Sequence, residues 1–161
     1  MFAVVCWLTA ATLIKLQRIQ NESLWEFYSA RKALMCTANG TPNPQEQHGV
    51  WHGTSHNDPS VIYEDVQDGF MMQYSEAGMW GRGLYFAENA KYSNDYAWSI
   101  GAGRKTMMYT RLLTGEEIHM PPDSNIKVPP VRPGKLRYDT ISGDTNGSKV
   151  YIVYENGRAC E

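Results

Sequence analysis

His52-Gly53-Thr54 and Gly81-Arg82-Gly83-Leu84-Tyr85-Phe86-Ala87 are the stretches of this chain whose residue types can do chemistry together. The first sets an imidazole beside a glycine, where backbone can approach a ligand closely. The second puts a tyrosine straight after a glycine-punctuated turn. Ser93 adds a hydroxyl, Tyr96 a ring that can stack, and Val150-Tyr151-Ile152-Val153-Tyr154 reads as a late strand. Such a set can hold a planar ring and a sugar. The head of that late strand is Val150, which can neither accept a proton nor stabilise charge.

Each piece alone is weak. A histidine at a strand end is usually satisfied by its neighbours, and paired glycines mostly mark turns. Ser93 could merely cap a helix, Tyr96 lies at helical spacing from Tyr92 and could be core, and Tyr85 could be core in a sheet. His48, His52 and His56 recur every four residues, a spacing that would suit zinc on a helix. Gly49, Gly53 and Val50-Trp51 argue against a helix there, and on a strand successive imidazoles would stand about 13 Å apart. No metal is expected.

The elements that must position these residues follow from patterning. Alternation over 13–20 predicts a strand, and Asn21 is a good cap for a helix through Met35. Residues 36–49 are polar and rich in Asn, Gly, Pro and Gln, hence a loop. A short strand at 50–53 follows, then a helix from Asp58-Pro59 to about Gln67. Residues 71–81 read as a loop, 83–87 as a strand, 89–98 as a helix and 106–114 as a strand. The proline-rich stretch 116–134 reads as loop with one short strand at 126–128. Strands at 138–142 and 150–154 close the chain, separated by a turn. Strands outnumber helices and no βαβ rhythm is present, so the class is α+β.

A chain of 161 residues suits a single domain with one core, and the whole of 1–161 is read so. A net charge of −2 with no long charged runs gives no nucleic-acid or membrane signal. Three cysteines without CxxC spacing fit free thiols in a reducing compartment, so an intracellular location, cytoplasmic or nuclear, is expected. Residues 1–14 are almost entirely apolar, too short to span a bilayer comfortably and without a basic start. They read as a buried segment; three glycosylation sequons leave secretion as the minority alternative.

Taken in order and spacing, the set is highly specific. His52-Gly53-Thr54, Gly81 to Ala87, Ser93-Asn94-Asp95-Tyr96 and Tyr151-Ile152-Val153-Tyr154 resemble the ADP-ribosyltransferase catalytic domain of the poly(ADP-ribose) polymerase-like, diphtheria-toxin-like family. Arg18-Ile19-Gln20-Asn21, Leu112-Leu113-Thr114-Gly115 and Tyr138-Asp139-Thr140 extend the likeness over nearly the whole chain from about Ile14, closest to the mono-ADP-ribosylating members.

The resemblance implies a split, mostly antiparallel β core with flanking helices and an NAD+ site in the cleft between its halves, NAD+ being co-substrate. It implies that Gly53 backbone pairs with the nicotinamide carboxamide, joined by the Ser93 hydroxyl. Tyr96 stacks on the nicotinamide, Tyr85 packs against its ribose, and His52 holds the adenosine ribose. Thr54, Phe86 and Ala87 complete the expected lining. The loop 71–81 becomes a lid over the donor site, made soft by Met71, Met72, Tyr74 and Met79, and 119–149 the acceptor side. Polymerising members carry a glutamate where Val150 stands, so the general-base contribution of about 10²–10⁴-fold is missing. Glu155 has the wrong strand parity to replace it. The expected triad is His52, Tyr85 and Val150, in a monomer that transfers one ADP-ribose to a protein acceptor, itself included, whose own Asp or Glu is the nucleophile. The alternatives are an inactive NAD- or ADP-ribose-binding pseudoenzyme and a protein-interaction module. No helical regulatory domain precedes the fold in this sequence, so NAD+ binding is expected without an activator.

Overall fold

The structure, a computed structural model, describes residues 2–4, 12–64, 69–134 and 136–160. Its strands are β1 (Phe2–Val4), β2 (Leu16–Arg18), β3 (Glu46–His52), β4 (Ala77–Gly78), β5 (Gly81–Arg82), β6 (Leu84–Ala87), β7 (Trp98–Gly101), β8 (Arg104–Thr106), β9 (Met108–Leu113), β10 (Glu117–His119), β11 (Thr140–Thr145), β12 (Ser148–Val153) and β13 (Ala159–Cys160). Its helices are α1 (Glu22–Asn39), α2 (Ser60–Tyr63) and α3 (Ala90–Asn94), with one 3-10 turn at Met72–Tyr74. Among the described residues the main sheet runs β10-β11-β12-β6-β3-β9-β1-β2, with β13 also on β9. Every pairing in it is antiparallel except β10 with β11.

Several boundaries differ from the sequence reading. Asn21 caps α1 as expected, its Oδ1 accepting from Leu24 N at 3.2 Å. The helix then passes Met35 and stops at Gly40, the first glycine, in the left-handed conformation (φ 65°). Cys36 to Asn39 is therefore helix, not loop. The third strand begins at Glu46, four residues early, because its polar start pairs with β9 from Leu113 down, with an irregularity between His48 and Val50. Glu46 and Gln47 look like loop by composition; Glu46 is polar because it meets Tyr28 and Lys32 of α1.

Two helices are shorter than expected. Ahead of α2, Asp58 Oδ1 accepts from Ser60 N at 2.9 Å, and the helix ends at Tyr63; residues 65–67 of the expected helix lie outside the described residues. The third helix ends at Asn94, not Trp98, because Trp98 pairs with Thr106 in the β7–β8 hairpin. No strand forms at 126–128; Ile126 packs against the core instead, and the strand of that region is β10. The expected apolar segment at the start lies mostly outside the described residues, save that β1 pairs with β2 and β9.

Alternation along β12 divides the core. Tyr151 and Val153 join Val50, Phe70, Phe86, Met108 and Leu112 on one face. Val150 and Ile152 join Trp80, Ala87, Tyr92 and Ile141 on the other. Trp80 is fully buried there, its Nε1 donating to Met120 O at 3.0 Å and its carbonyl accepting from Tyr154 Oη at 2.6 Å. The indole leaves no room over β11: a Cβ on Gly143 would lie 2.0 Å from Trp80 Cζ2. Gly143→Ala is therefore expected to lower stability by about 1–3 kcal/mol through overpacking, read as a fall in the thermal midpoint. An unchanged midpoint would show that the Trp80 ring is not held where described.

Candidate functional site

The cleft opens where the sheet comes apart. Between β3 and β6 a single residue pair is in register, Trp51 with Ala87. Beyond it the strands diverge, and His52 Nδ1 spans the gap by donating to Tyr85 O at 2.7 Å. A carbonyl can only accept, so Nδ1 carries the proton and Nε2 is left with a lone pair. Burial holds the His52 pKa below its ordinary value, the Tyr85 carbonyl working in the opposite direction. The ring is enclosed by Phe70, edge-on with centroids 5.2 Å apart, and Phe86 at 5.0 Å.

A cavity of about 260 Å³ occupies this opening. One wall is His52, Gly53 and Thr54 with Ser55 and Asn57. A second is Val61 and Ile62 of α2, with Phe70. The third is the 71–79 segment, and Gly83, Leu84, Tyr85, Tyr92 and Tyr96 complete it. Of the residues expected at a ligand, His52, Gly53, Thr54, Tyr85 and Tyr96 line the cavity. Phe86, Ala87, Ser93 and Val150 stand behind the wall. Phe86 backs His52, and Ala87 sits at the strand junction. Ser93 is buried with Oγ donating to Trp51 O at 3.0 Å, which ties α3 to β3.

That tie explains Gly53. A Cβ there would lie 2.4 Å from Tyr96 O and 2.7 Å from Ser93 O, so only glycine lets α3 come so close. Ser55 N also donates to Tyr96 O, at 2.6 Å. Tyr96, 46% exposed, lines the cavity and packs its ring on Tyr92 with centroids 5.3 Å apart.

Tyr85 presents a ring, not a free hydroxyl. Its Oη donates to Gly81 O at 2.7 Å and accepts from Trp80 N at 3.0 Å. Burial pushes its pKa up to about 12, so the phenol stays neutral. Val150 lies on the same face of the sheet as Tyr85, whose register partner is Ile152. It is fully buried, in one layer with Trp80, Ala87, Tyr92 and Ile141, and is not among the residues that line the cavity. Glu155 lies past the end of β12 and pairs with Arg31 and Arg158, each at 3.4 Å. His48 and His56 are exposed, and among the described residues no three His, Cys, Asp or Glu gather as metal ligands.

The sequence reading missed Val61, Ile62, Phe70 and Glu76 as lining residues. The first three carry no signal beyond apolar character, while Glu76, an acid inside the expected lid, was legible and passed over.

Two measurements follow. The unfolded chain takes up a proton on His52 near pH 6.5 while the folded chain resists it, so stability is complete above that pH and falls as pH drops through it. The thermal midpoint should decline below about pH 6.5, and this part of the decline should vanish in His52→Gln. Val150→Glu places an unpaired carboxylate in a buried apolar layer. It should cost roughly 3–5 kcal/mol at pH 7 and less on acidification, as the buried carboxyl protonates. A variant as stable as the parent would mean that position 150 reaches solvent.

Comparison with known proteins identifies a family. The model of the poly(ADP-ribose) polymerase catalytic domain matches residues 5–132. The human protein mono-ADP-ribosyltransferase PARP14 is 34% identical over 155 residues, covering 90% of this chain and 8% of the relative. A probable poly [ADP-ribose] polymerase of Dictyostelium discoideum is 35% identical over 150 residues, covering 91% of this chain and 42% of the relative. The mouse mono-ADP-ribosyltransferase PARP11 is 30% identical over 162 residues, covering 88% and 48%. The chain thus spans less than half the length of these relatives. With the split sheet, the cleft and the ordered motifs in place, the chain belongs to the poly(ADP-ribose) polymerase catalytic domain family, whose substrate is NAD+.

Proposed function

We propose that this chain is a mono-ADP-ribosyltransferase that moves one ADP-ribose from NAD+ to an acceptor carboxylate on a protein, itself included. The reaction breaks the bond between ribose C1′ and the nicotinamide nitrogen. Its electron pair leaves with nicotinamide, and an acceptor carboxylate oxygen bonds C1′, so no proton need be removed from the acceptor.

The observation that carries this reading is the buried apolar layer at position 150 beside an otherwise assembled cleft. A sugar hydroxyl is a poor nucleophile without a base, and chain extension depends on activating one. An aspartate or glutamate arrives already ionised. In this reading Gly53 backbone grips the carboxamide, Tyr96 stacks on the nicotinamide and the Tyr85 ring lies along its ribose. Neutral His52 accepts an adenosine-ribose hydroxyl at Nε2. Ser93 positions Gly53 from behind, through Trp51 and α3.

The test is incubation with labelled NAD+ and separation of products by size. Wild type is expected to give single additions, removed by reagents that cleave ester-linked ADP-ribose. His52→Ala is expected to lose about 10²-fold of the rate through misplaced substrate. Long ladders would overturn the mono- assignment. Calorimetric NAD+ binding without transfer to any acceptor would instead identify a pseudoenzyme.

A further inference from the structure

The proline-rich segment beside the cleft carries charge of one sign. Residues 126–137 hold Lys127, Arg132, Lys135 and Arg137, out of 15 lysines and arginines in the chain, and no acid, against a net charge of −2 for the whole. The acids that flank the segment are engaged within the fold. Asp123 accepts from Asn125 N at 2.9 Å, and Asp139 from Asn39 Nδ2 at 2.7 Å and Glu116 N at 2.8 Å. Arg132 is engaged too, with Glu116 at 3.5 Å and with Asn39 Oδ1. Lys127 is exposed and makes no hydrogen bond or ion pair with the described residues.

The free charge shares a braced surface with apolar side chains. Val131 and Arg137 are bridge partners, so their side chains leave the segment on one face. Arg137, exposed, donates from Nη1 to Pro129 O at 2.8 Å, which brings it beside the residue after Val128. Arg132 N donates to Leu136 O at 2.7 Å and Tyr138 N to Pro130 O at 3.0 Å, closing the turn. Val128 and Val131 are 49% and 56% exposed. At its near end the strip meets the wall of the cleft. Ile126 packs on the Trp80 layer, and a Cβ on Gly81 would lie 1.8 Å from Ile126 O. Gly81 O accepts the Tyr85 hydroxyl at 2.7 Å, so Lys127 follows directly on the backbone that abuts the anchor of Tyr85.

Charge and surface together choose the partner. A basic strip attracts an anionic polymer. A nucleic acid would be held by base stacking as well as by its phosphates, and the stretch from Lys127 to Arg137 has no aromatic ring. Two exposed valines suit the apolar side chains of a polypeptide. We propose that Lys127, Val128, Val131 and Arg137 dock an acidic segment of the target protein, in which carboxylates alternate with apolar side chains, and so select which proteins receive ADP-ribose. This rests on the transferase reading above. Docking forms no covalent bond; it raises the local concentration of the acceptor at the cleft.

The probe is a fluorescein-labelled peptide of alternating glutamate and leucine, set against its glutamine counterpart and a single-stranded DNA of equal length. Anisotropy with the full chain reads affinity. The glutamate peptide is expected to bind about tenfold tighter than either, and to weaken with salt. Lys127→Glu/Arg137→Glu is expected to weaken it about tenfold, and Lys127→Glu alone about threefold with an unchanged thermal midpoint. Lys15→Glu/Arg104→Glu makes the same change in net charge elsewhere on the surface and is expected to bind the peptide as wild type does. In transfer to this peptide the loss should fall in its KM, with nicotinamide release from NAD+ alone unchanged in every variant. Equal binding of the glutamine peptide, tighter binding of the DNA, or an equal loss in Lys15→Glu/Arg104→Glu overturns the proposal. Wild type that binds the peptide but releases no nicotinamide overturns the transferase reading instead.

Discussion

The His52–Tyr85 hydrogen bond spans the place where two halves of one sheet stop pairing, and the cleft depends on it. Below this point the halves are welded at Trp51 and Ala87. Above it, the imidazole is the cross-link that keeps the gap at a fixed width. The same bond selects the tautomer, so a structural contact also decides that the cleft meets its ligand with an acceptor. The aromatic packing of Phe70 and Phe86 holds the ring in the plane that permits both. Width, tautomer and orientation are one constraint.

The other half of the molecule is organised by Trp80. Its indole fills the space over Gly143, its backbone N–H steadies the Tyr85 hydroxyl, and its carbonyl holds Tyr154. Val150 belongs to that layer. The absence of an acid at this position is therefore built into a packed stratum of side chains rather than being one altered residue. The chemistry available to the cleft is then set by what its lining and its lid contribute.

Much of this was legible in the sequence because the site is assembled from contiguous motifs. His52-Gly53-Thr54 ends one central strand, Gly83 to Ala87 forms its neighbour, and Ser93 to Tyr96 follows at once, so local order maps onto spatial order. What was not legible depended on partners far along the chain. Glu46 to His48 looked like loop because polarity hid a strand that only β9 reveals. Trp98 looked helical until Thr106 claimed it. Ser93 and Phe86 were read as ligand contacts from their place in the motifs; here the Ser93 hydroxyl donates to Trp51 O and the Phe86 ring packs on His52, and neither contact is written in spacing.

The braced lid has a kinetic meaning. Arg82 clamps two carbonyls of the segment, Asn156 Oδ1 accepts from Met72 N at 2.8 Å, and Gly78 rests on Tyr85. A loop so tied loses its freedom when the chain folds, not when a molecule arrives. Ordering entropy is then not subtracted from affinity at each encounter, and arrival is not throttled by waiting for a rare competent shape. Occupancy of such a cleft would be governed by how slowly its guest escapes.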